Sequence, residues 1–306
     1  MSWLIIALLS YLILAVVFLA DKYLLTNGIP NPKLFAFYSG LSGFFLILLI
    51  PFIEFEIFSF PYIILSILSG ASFFMALFLF YRTLKLFEVS RVVPAVGALI
   101  PLFSLALAVI FSQGQEFLKT NEIVSLSFLI VGSFLINYES QKKISKKSLI
   151  FSSLASFFFS LHFISAKYIY INYSFLSSLI WINSGGFLMA LIFFLIFKDI
   201  KKELFVKKEV FNKKTIFIFI GSKILSGIGG LLQKFAIFLA PSLTAVAIIN
   251  GLQGIQYGFL LVIAVFLSLK YPKILKEEVS KKVIIQKAFS ILLIVAGLII
   301  ISFFNF

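Results

Sequence analysis

The sequence predicts an all-α integral membrane protein of ten transmembrane helices, built as two inverted five-helix repeats. Three observations carry this expectation. The chain is 61% hydrophobic and only 12% charged, with a mean hydropathy of +1.13, far too little charge for a soluble domain of this length. Its apolar residues fall into ten stretches divided by short polar segments. Finally, the sequence starts again within Leu149–Tyr173. Ala-Asp-Lys-Tyr at Ala20–Tyr23 is echoed by Ser-Ala-Lys-Tyr at Ser165–Tyr168, and Tyr-Ser-Gly at Tyr38–Gly40 by Asn-Ser-Gly at Asn183–Gly185. Lys22 and Lys167, Tyr23 and Tyr168, Ser39 and Ser184, and Gly40 and Gly185 all share one offset, and a constant offset across separate features marks an internal repeat.

In chain order the stretches are Trp3–Ala20, Leu34–Ile53, Pro61–Tyr81, Val92–Phe111 and Ile123–Tyr138, then Leu149–Ile171, Phe175–Phe197, Thr215–Leu239, Leu243–Leu269 and Val283–Phe304. Most suffice to cross a ~30 Å hydrocarbon core, which takes about 20 helical residues. The runs are continuous rather than alternating, which argues against a β-barrel. Pro94 and Pro101 fall inside the fourth stretch, where neighbouring helices can satisfy the freed backbone groups. The first stretch lacks a basic n-region and reads as a retained span rather than a signal peptide.

Charge then sets the expected topology. The net charge is +14, and the basic residues concentrate in alternate loops: Arg82, Lys85 and Arg91; Lys142 to Lys147; Lys198 to Lys214; and Lys270 to Lys282. The positive-inside rule places these loops in the cytoplasm and both termini outside. Lysines in short runs between apolar spans do not form a nucleic-acid face. The repeat unit has five spans, an odd number, so the second copy enters from the opposite face. The predicted units are residues 1–140 and 148–306, joined by the lysine-rich Glu139–Ser148. Arg82 and Ser90 oppose Lys234 and Ser242 at a second constant offset, and Gly132 in Ile-Val-Gly-Ser echoes Gly297 in Ile-Val-Ala-Gly.

This pattern resembles the drug/metabolite transporter superfamily, in its EamA-like branch of two five-helix repeats. The resemblance covers nearly the whole chain. It rests on the span order, on Tyr81-Arg82-Thr83-Leu84 running through Ser90 and Pro94 to Pro101, and on acids ahead of spans five and ten (Glu116, and Glu277 or Glu278). The second repeat departs from the family pattern at Gln253, which stands opposite Pro101. The resemblance implies export or exchange of a small metabolite through a cavity lined by spans one, three, four, six, eight and nine. It leaves the substrate open.

Polar residues inside spans are costly, so each needs a reason. At about 1.5 Å per residue, Lys223 lies roughly 12 Å beyond Thr215, near the midplane, and His162 about 20 Å beyond Leu149. Asn250, Gln253 and Gln256 are spaced three apart and share a helical face. These five, with Tyr11, Tyr81 and Tyr257, are the expected substrate-binding set. For Lys223 two readings stand: a counter-charge for a substrate carboxylate or phosphate, or a cation that snorkels to the interface. His162 reads as a proton carrier, a donor to substrate, or a neutral ring bonded to a neighbouring helix. The Asn250–Gln256 stripe orients substrate or serves as interhelical glue. Asp21, Lys22 and Lys167 end their spans and read as interfacial or gating residues. All twelve Asp and Glu residues fall at span ends or in loops, which disfavours a cation-drug pump and points to an anionic or zwitterionic solute such as an amino acid.

Enzymatic readings are weaker. The chain has no cysteine and one histidine, which removes thiolate and histidine-cluster metal sites. No Gly-x-Ser-x-Gly elbow, P-loop or dinucleotide fingerprint occurs. No cofactor or metal is expected. The alternative to a carrier is a lipid-handling or structural membrane protein, since the lysine loops also attract anionic headgroups. The expected setting is the plasma membrane of a bacterium or archaeon, as a monomer or homodimer.

Overall fold

A computed structural model describes residues 2–27, 29, 31–86, 89–135, 146–205, 213–256, 259 and 281–304. The described residues are overwhelmingly helical and contain no strand. The helices are α1 (Ser2–Asn27), α2 (Pro32–Ile47), α3 (Phe60–Leu86), α4 (Val89–Phe111), α5 (Thr120–Leu135), α6 (Lys146–Asn172), α7 (Phe175–Ile196), α8 (Lys198–Phe205), α9 (Lys213–Leu239), α10 (Leu243–Gly251) and α11 (Lys281–Phe304). Six segments are long and apolar enough to cross a membrane, the cores of α1, α3, α6, α7 and α9 and the stretch Pro32–Phe52. Shorter apolar helices lie in α4, α5 and α11 and at Leu243–Gln256.

Local chemistry sets several boundaries. Asn31 caps α2, its side chain accepting from the Lys33 amide at 3.0 Å, with Pro32 in the first turn. Proline there supplies a preset φ and loses no helical hydrogen bond. Near Pro51 the chain tightens into a 3-10 turn, Ile50–Phe52, because proline cannot donate to a continuing α-helix. Ser242 caps α10 by accepting from the Ala245 amide at 3.1 Å. The ninth apolar stretch does not run as one helix: α10 stops at Gly251, turns at Leu252 and resumes over residues 253–256.

Packing runs α1 along α9, α3 along α6 and α7, α2 along α7, α4 along α6 and α10, and α5 along α11. Without a hydrophobic force between helices in lipid, close backbone approach and polar bonds must hold such contacts. At the α3–α7 crossing, a Cβ on Gly70 would lie 1.8 Å from the Ile182 carbonyl oxygen, and one on Gly185 2.1 Å from that of Ile67. Only glycine permits this approach. Elsewhere, buried serines donate to carbonyls of the next helix: Ser10 to Gly229 at 2.8 Å, Ser160 to Ile100 at 2.8 Å and Ser125 to Gly297 at 2.7 Å.

The two ends of the bundle differ. Where α6 and α9 finish, Phe58 stacks on Tyr173 with centroids 3.8 Å apart, and Tyr170, Phe175, Phe235 and Phe238 cluster nearby, with Tyr170–Phe238 and Phe175–Phe235 edge to face. At the other end α8 is tied to the start of α2 by Lys33–Asp199 at 2.9 Å and Asn31–Glu203 at 2.9 Å. The hydrogen bond from Lys33 holds the Asp199 carboxyl below its ordinary range.

Candidate functional site

A single face of α9 organises the interior. Lys223 and Lys234 are eleven residues apart, which brings them to the same face of the helix about 16 Å along its axis. Both line a cavity of about 570 Å³, which also takes in Asp21, Asn183, Gln253 and Gln256. That volume is typical of small-molecule sites. Its walls are otherwise largely apolar, with Phe73, Phe80, Phe159 and Phe163 among them.

At one end of the cavity Lys223 lies 3.9 Å from Asp21 Oδ1, donates to Ser39 Oγ at 3.1 Å and sits 4.1 Å above the Phe35 ring. Asp21 also accepts from Ser222 at 2.8 Å and from the Tyr81 hydroxyl at 3.4 Å. Lys223 therefore turns inward to an ion pair instead of snorkelling. The apolar run ends at Ala20, but α1 continues to Asn27. This carries Asp21 into the helix, where it is buried, and corrects the expectation that no carboxylate enters the interior.

Farther along α9, Lys234 donates to Asn183 Oδ1 at 3.2 Å and faces the Phe73 ring at 5.5 Å. The Asn183 amide is oriented by donating to the Leu179 carbonyl at 2.7 Å, which leaves its oxygen toward the lysine. No described carboxylate lies within ion-pair distance of Lys234. Beside it, Gln233 donates to the Tyr11 hydroxyl at 3.2 Å, and that hydroxyl donates to the Ile249 carbonyl at 2.9 Å.

The structure gathers Lys223, Tyr11, Tyr81, Gln253 and Gln256 of the expected set, and adds Asp21. His162 and Asn250 lie outside the cavity. His162 is buried between α6 and α3, its Nδ1 3.1 Å from both Ser69 Oγ and the Ser69 carbonyl oxygen. Asn250 donates to Ser104 Oγ at 2.8 Å; on a helix it stands about 120° around the axis from Gln256. Lys167 does not reach the cavity either. It donates to the Phe238 carbonyl at 2.9 Å and the Ala240 carbonyl at 2.5 Å, satisfying the free end of α9. Tyr257 and the Lys22 side chain lie outside the described residues. Lys234, Asn183 and Gln233 were not among the expected site residues, and α2 and α7 contribute walls that the family resemblance did not assign to them.

The cavity has a sequence origin. At the offset that pairs Arg82 with Lys234, Ser226 and Gly230 of α9 stand opposite Phe74 and Phe78 of α3. Both phenylalanines pack on Phe193 of α7, at 4.8 and 5.1 Å between centroids. Their small counterparts line the cavity, and a Cβ on Gly230 would meet nothing within 4 Å.

No protein-family model matches this chain, and no curated protein matches it. A solved structure described only as "Crystal structure of protein" superposes with a TM-score of 0.69 over 99% of this chain and 98% of its own, at 12% identity. At that identity the likeness concerns the fold alone.

Proposed function

We propose that this protein is a secondary transporter that moves a small anionic or zwitterionic metabolite by alternating access, as an EamA-like member of the drug/metabolite transporter superfamily. The observation that carries this reading is the convergence of Lys223, Lys234, Asp21 and two glutamines on one cavity of about 570 Å³ between helices. Intramembrane charges facing a shared cavity mark solute paths. The reading is of a carrier, not an enzyme.

The helix contacts support the inverted repeat. Pairing α1 with α6, α2 with α7, α3 with α9, α4 with α10 and α5 with α11 exchanges the α1–α9 contact with α3–α6. It leaves α2–α7, α4–α10 and α5–α11 unchanged. Several contacts break the pattern: α3–α7, α4–α6 and α2–α3 are packed, whereas among the described residues their counterparts α9–α2, α10–α1 and α9–α7 do not pack along their backbones. α3 packs tightly along α7, whereas their counterparts α9 and α2 meet through Lys223, Phe219 and Tyr38 side chains rather than along packed backbones. In an alternating-access carrier, such unequal pairs are what the two end states exchange. With the basic loops cytoplasmic, the aromatic-sealed end is the outer one.

The direct test is exchange of a pool of isotope-labelled metabolites in proteoliposomes, read by mass spectrometry. Wild type is compared with Lys223→Met and Lys234→Met. Exchange of carboxylate-bearing solutes that either variant abolishes upholds the reading; exchange of organic cations alone sinks it. The lipid-handling alternative has one observation in its favour: the cavity wall includes Phe45 and Leu231, 68% and 41% exposed on the bundle surface. Lipid scrambling without solute exchange in the same vesicles would favour it.

A further inference from the structure

We infer that the cavity is built for an organic anion of net charge minus one with an aromatic or apolar body, and that Lys234, not Lys223, receives its carboxylate. This rests on the transporter reading above and narrows its substrate class.

The first argument is a charge count. Among the described residues, the charged side chains lining the cavity are Asp21, Lys223 and Lys234. Asp21 and Lys223 face each other at 3.9 Å and offset one another. One positive charge is left over, on Lys234. A charge taken out of water without a partner is expensive, and a bound counter-ion removes most of that cost. A monoanion therefore leaves the occupied cavity neutral, a zwitterion leaves it positive and a dianion makes it negative.

The second argument is which partners are still available. Lys223 already has Asp21, Ser39 Oγ at 3.1 Å and the Phe35 face at 4.1 Å. Asp21 already accepts from Ser222 and Tyr81 and faces Lys223. A substrate ammonium would have to break that cluster to find a carboxylate. Lys234 holds only a neutral amide oxygen, Asn183 Oδ1 at 3.2 Å, and the Phe73 face at 5.5 Å. An ammonium has three donors, so room remains for a carboxylate oxygen. The third argument is the wall. Phe73, Phe80, Phe159 and Phe163 line the cavity with these few polar groups, and such walls take an aromatic or apolar body.

The experiment uses phenyl-bearing ligands of similar size at different charges. Purified protein in detergent is titrated calorimetrically with 3-phenylpropionate, phenylalanine, phenethylamine and phenylsuccinate: a monoanion, a zwitterion, a cation and a dianion. The monoanion is expected to bind at least about tenfold more tightly than the others, the discrimination that one charged hydrogen bond supplies. Lys234→Met is expected to weaken it at least about tenfold, and Lys234→Arg, which keeps the charge, to stay within about threefold. The charge-neutral double variant Asp21→Asn/Lys223→Met, which keeps the net charge of the cavity, is expected to weaken the monoanion less than Lys234→Met does. Monodisperse elution of each variant establishes that it is folded. Tighter binding of phenylalanine or phenylsuccinate overturns the inference, as does unchanged binding by Lys234→Met or a loss confined to the double variant. If none of the four binds, this substrate class is wrong. The vesicle exchange assay then separately decides whether the protein is a carrier.

Discussion

The Asp21–Lys223 pair joins α1 to α9 inside the bundle, and its energy can be measured by a double-mutant cycle. At 3.9 Å and an effective dielectric of about 20, two unit charges attract by about 4 kcal/mol. Their side chains are 19% and 11% exposed, so water in the cavity reduces this to about 2–3 kcal/mol. Asp21→Asn keeps an oxygen for the Ser222 donor and removes only the charge, while Lys223→Met keeps the stem and removes the cation. Each single change strands a buried charge and is expected to cost about 3 kcal/mol. The double variant strands none, so with a coupling of about 2–3 kcal/mol it should cost about 3–4 kcal/mol, well below the additive value of about 6 kcal/mol. The assay is reversible unfolding by sodium dodecyl sulfate in mixed micelles, followed by tryptophan fluorescence, the chain having only Trp3 and Trp181. Additive costs, with coupling under about 0.5 kcal/mol, would refute the ion pair and the charge count that rests on it.

Three further outcomes follow from the packing. Gly70→Ala should cost about 3 kcal/mol or more in the same titration, since its Cβ would stand 1.8 Å from a backbone oxygen. Gly186→Ala, whose Cβ would sit at an ordinary 3.5 Å, should change stability by less than about 1 kcal/mol. Gly230→Phe should fold with a stability change under about 1 kcal/mol, because a side chain there enters open space. It should nevertheless abolish exchange in vesicles by restoring the aromatic that α3 carries at Phe78; retained exchange would place the solute path elsewhere. Asp199 has a depressed pKa through the Lys33 hydrogen bond. Its contribution is therefore present above the unfolded carboxyl pKa of about 3.9 and lost as pH falls through the folded value. The pair is solvent-screened, so Lys33→Ala should cost under about 1 kcal/mol. Protection of the α8 amides relative to their intrinsic exchange rates should fall in the variant at neutral pH and in wild type only on acidification.

The helical character and the apolar runs were legible in the sequence because they follow from composition and from the demand that backbone groups in an apolar setting bond within their own helix. Lys223 stood out in the sequence as a charge within an apolar stretch, and it lines the cavity. Angular position was not legible. Asn250, Gln253 and Gln256 step round a helix by about 60° at each third residue, and Asn250 turns to Ser104 instead of the cavity. His162 faces Ser69 on α3, away from the cavity.

Asp21 and Lys234 show the same division at the chain's polar edges. By sequence both belong to span ends, since hydropathy falls wherever a charge appears. Only the packing of α1 on α9 gives Asp21 a cation and keeps it inside the helix. Only the approach of α7 gives Lys234 an amide oxygen within the cavity. The sequence by itself determined which segments are helical and apolar, because that depends on residues adjacent in the chain. The tertiary structure alone decided which polar groups face one another, because a charge buried in a helix bundle is stabilised or stranded by partners on other helices.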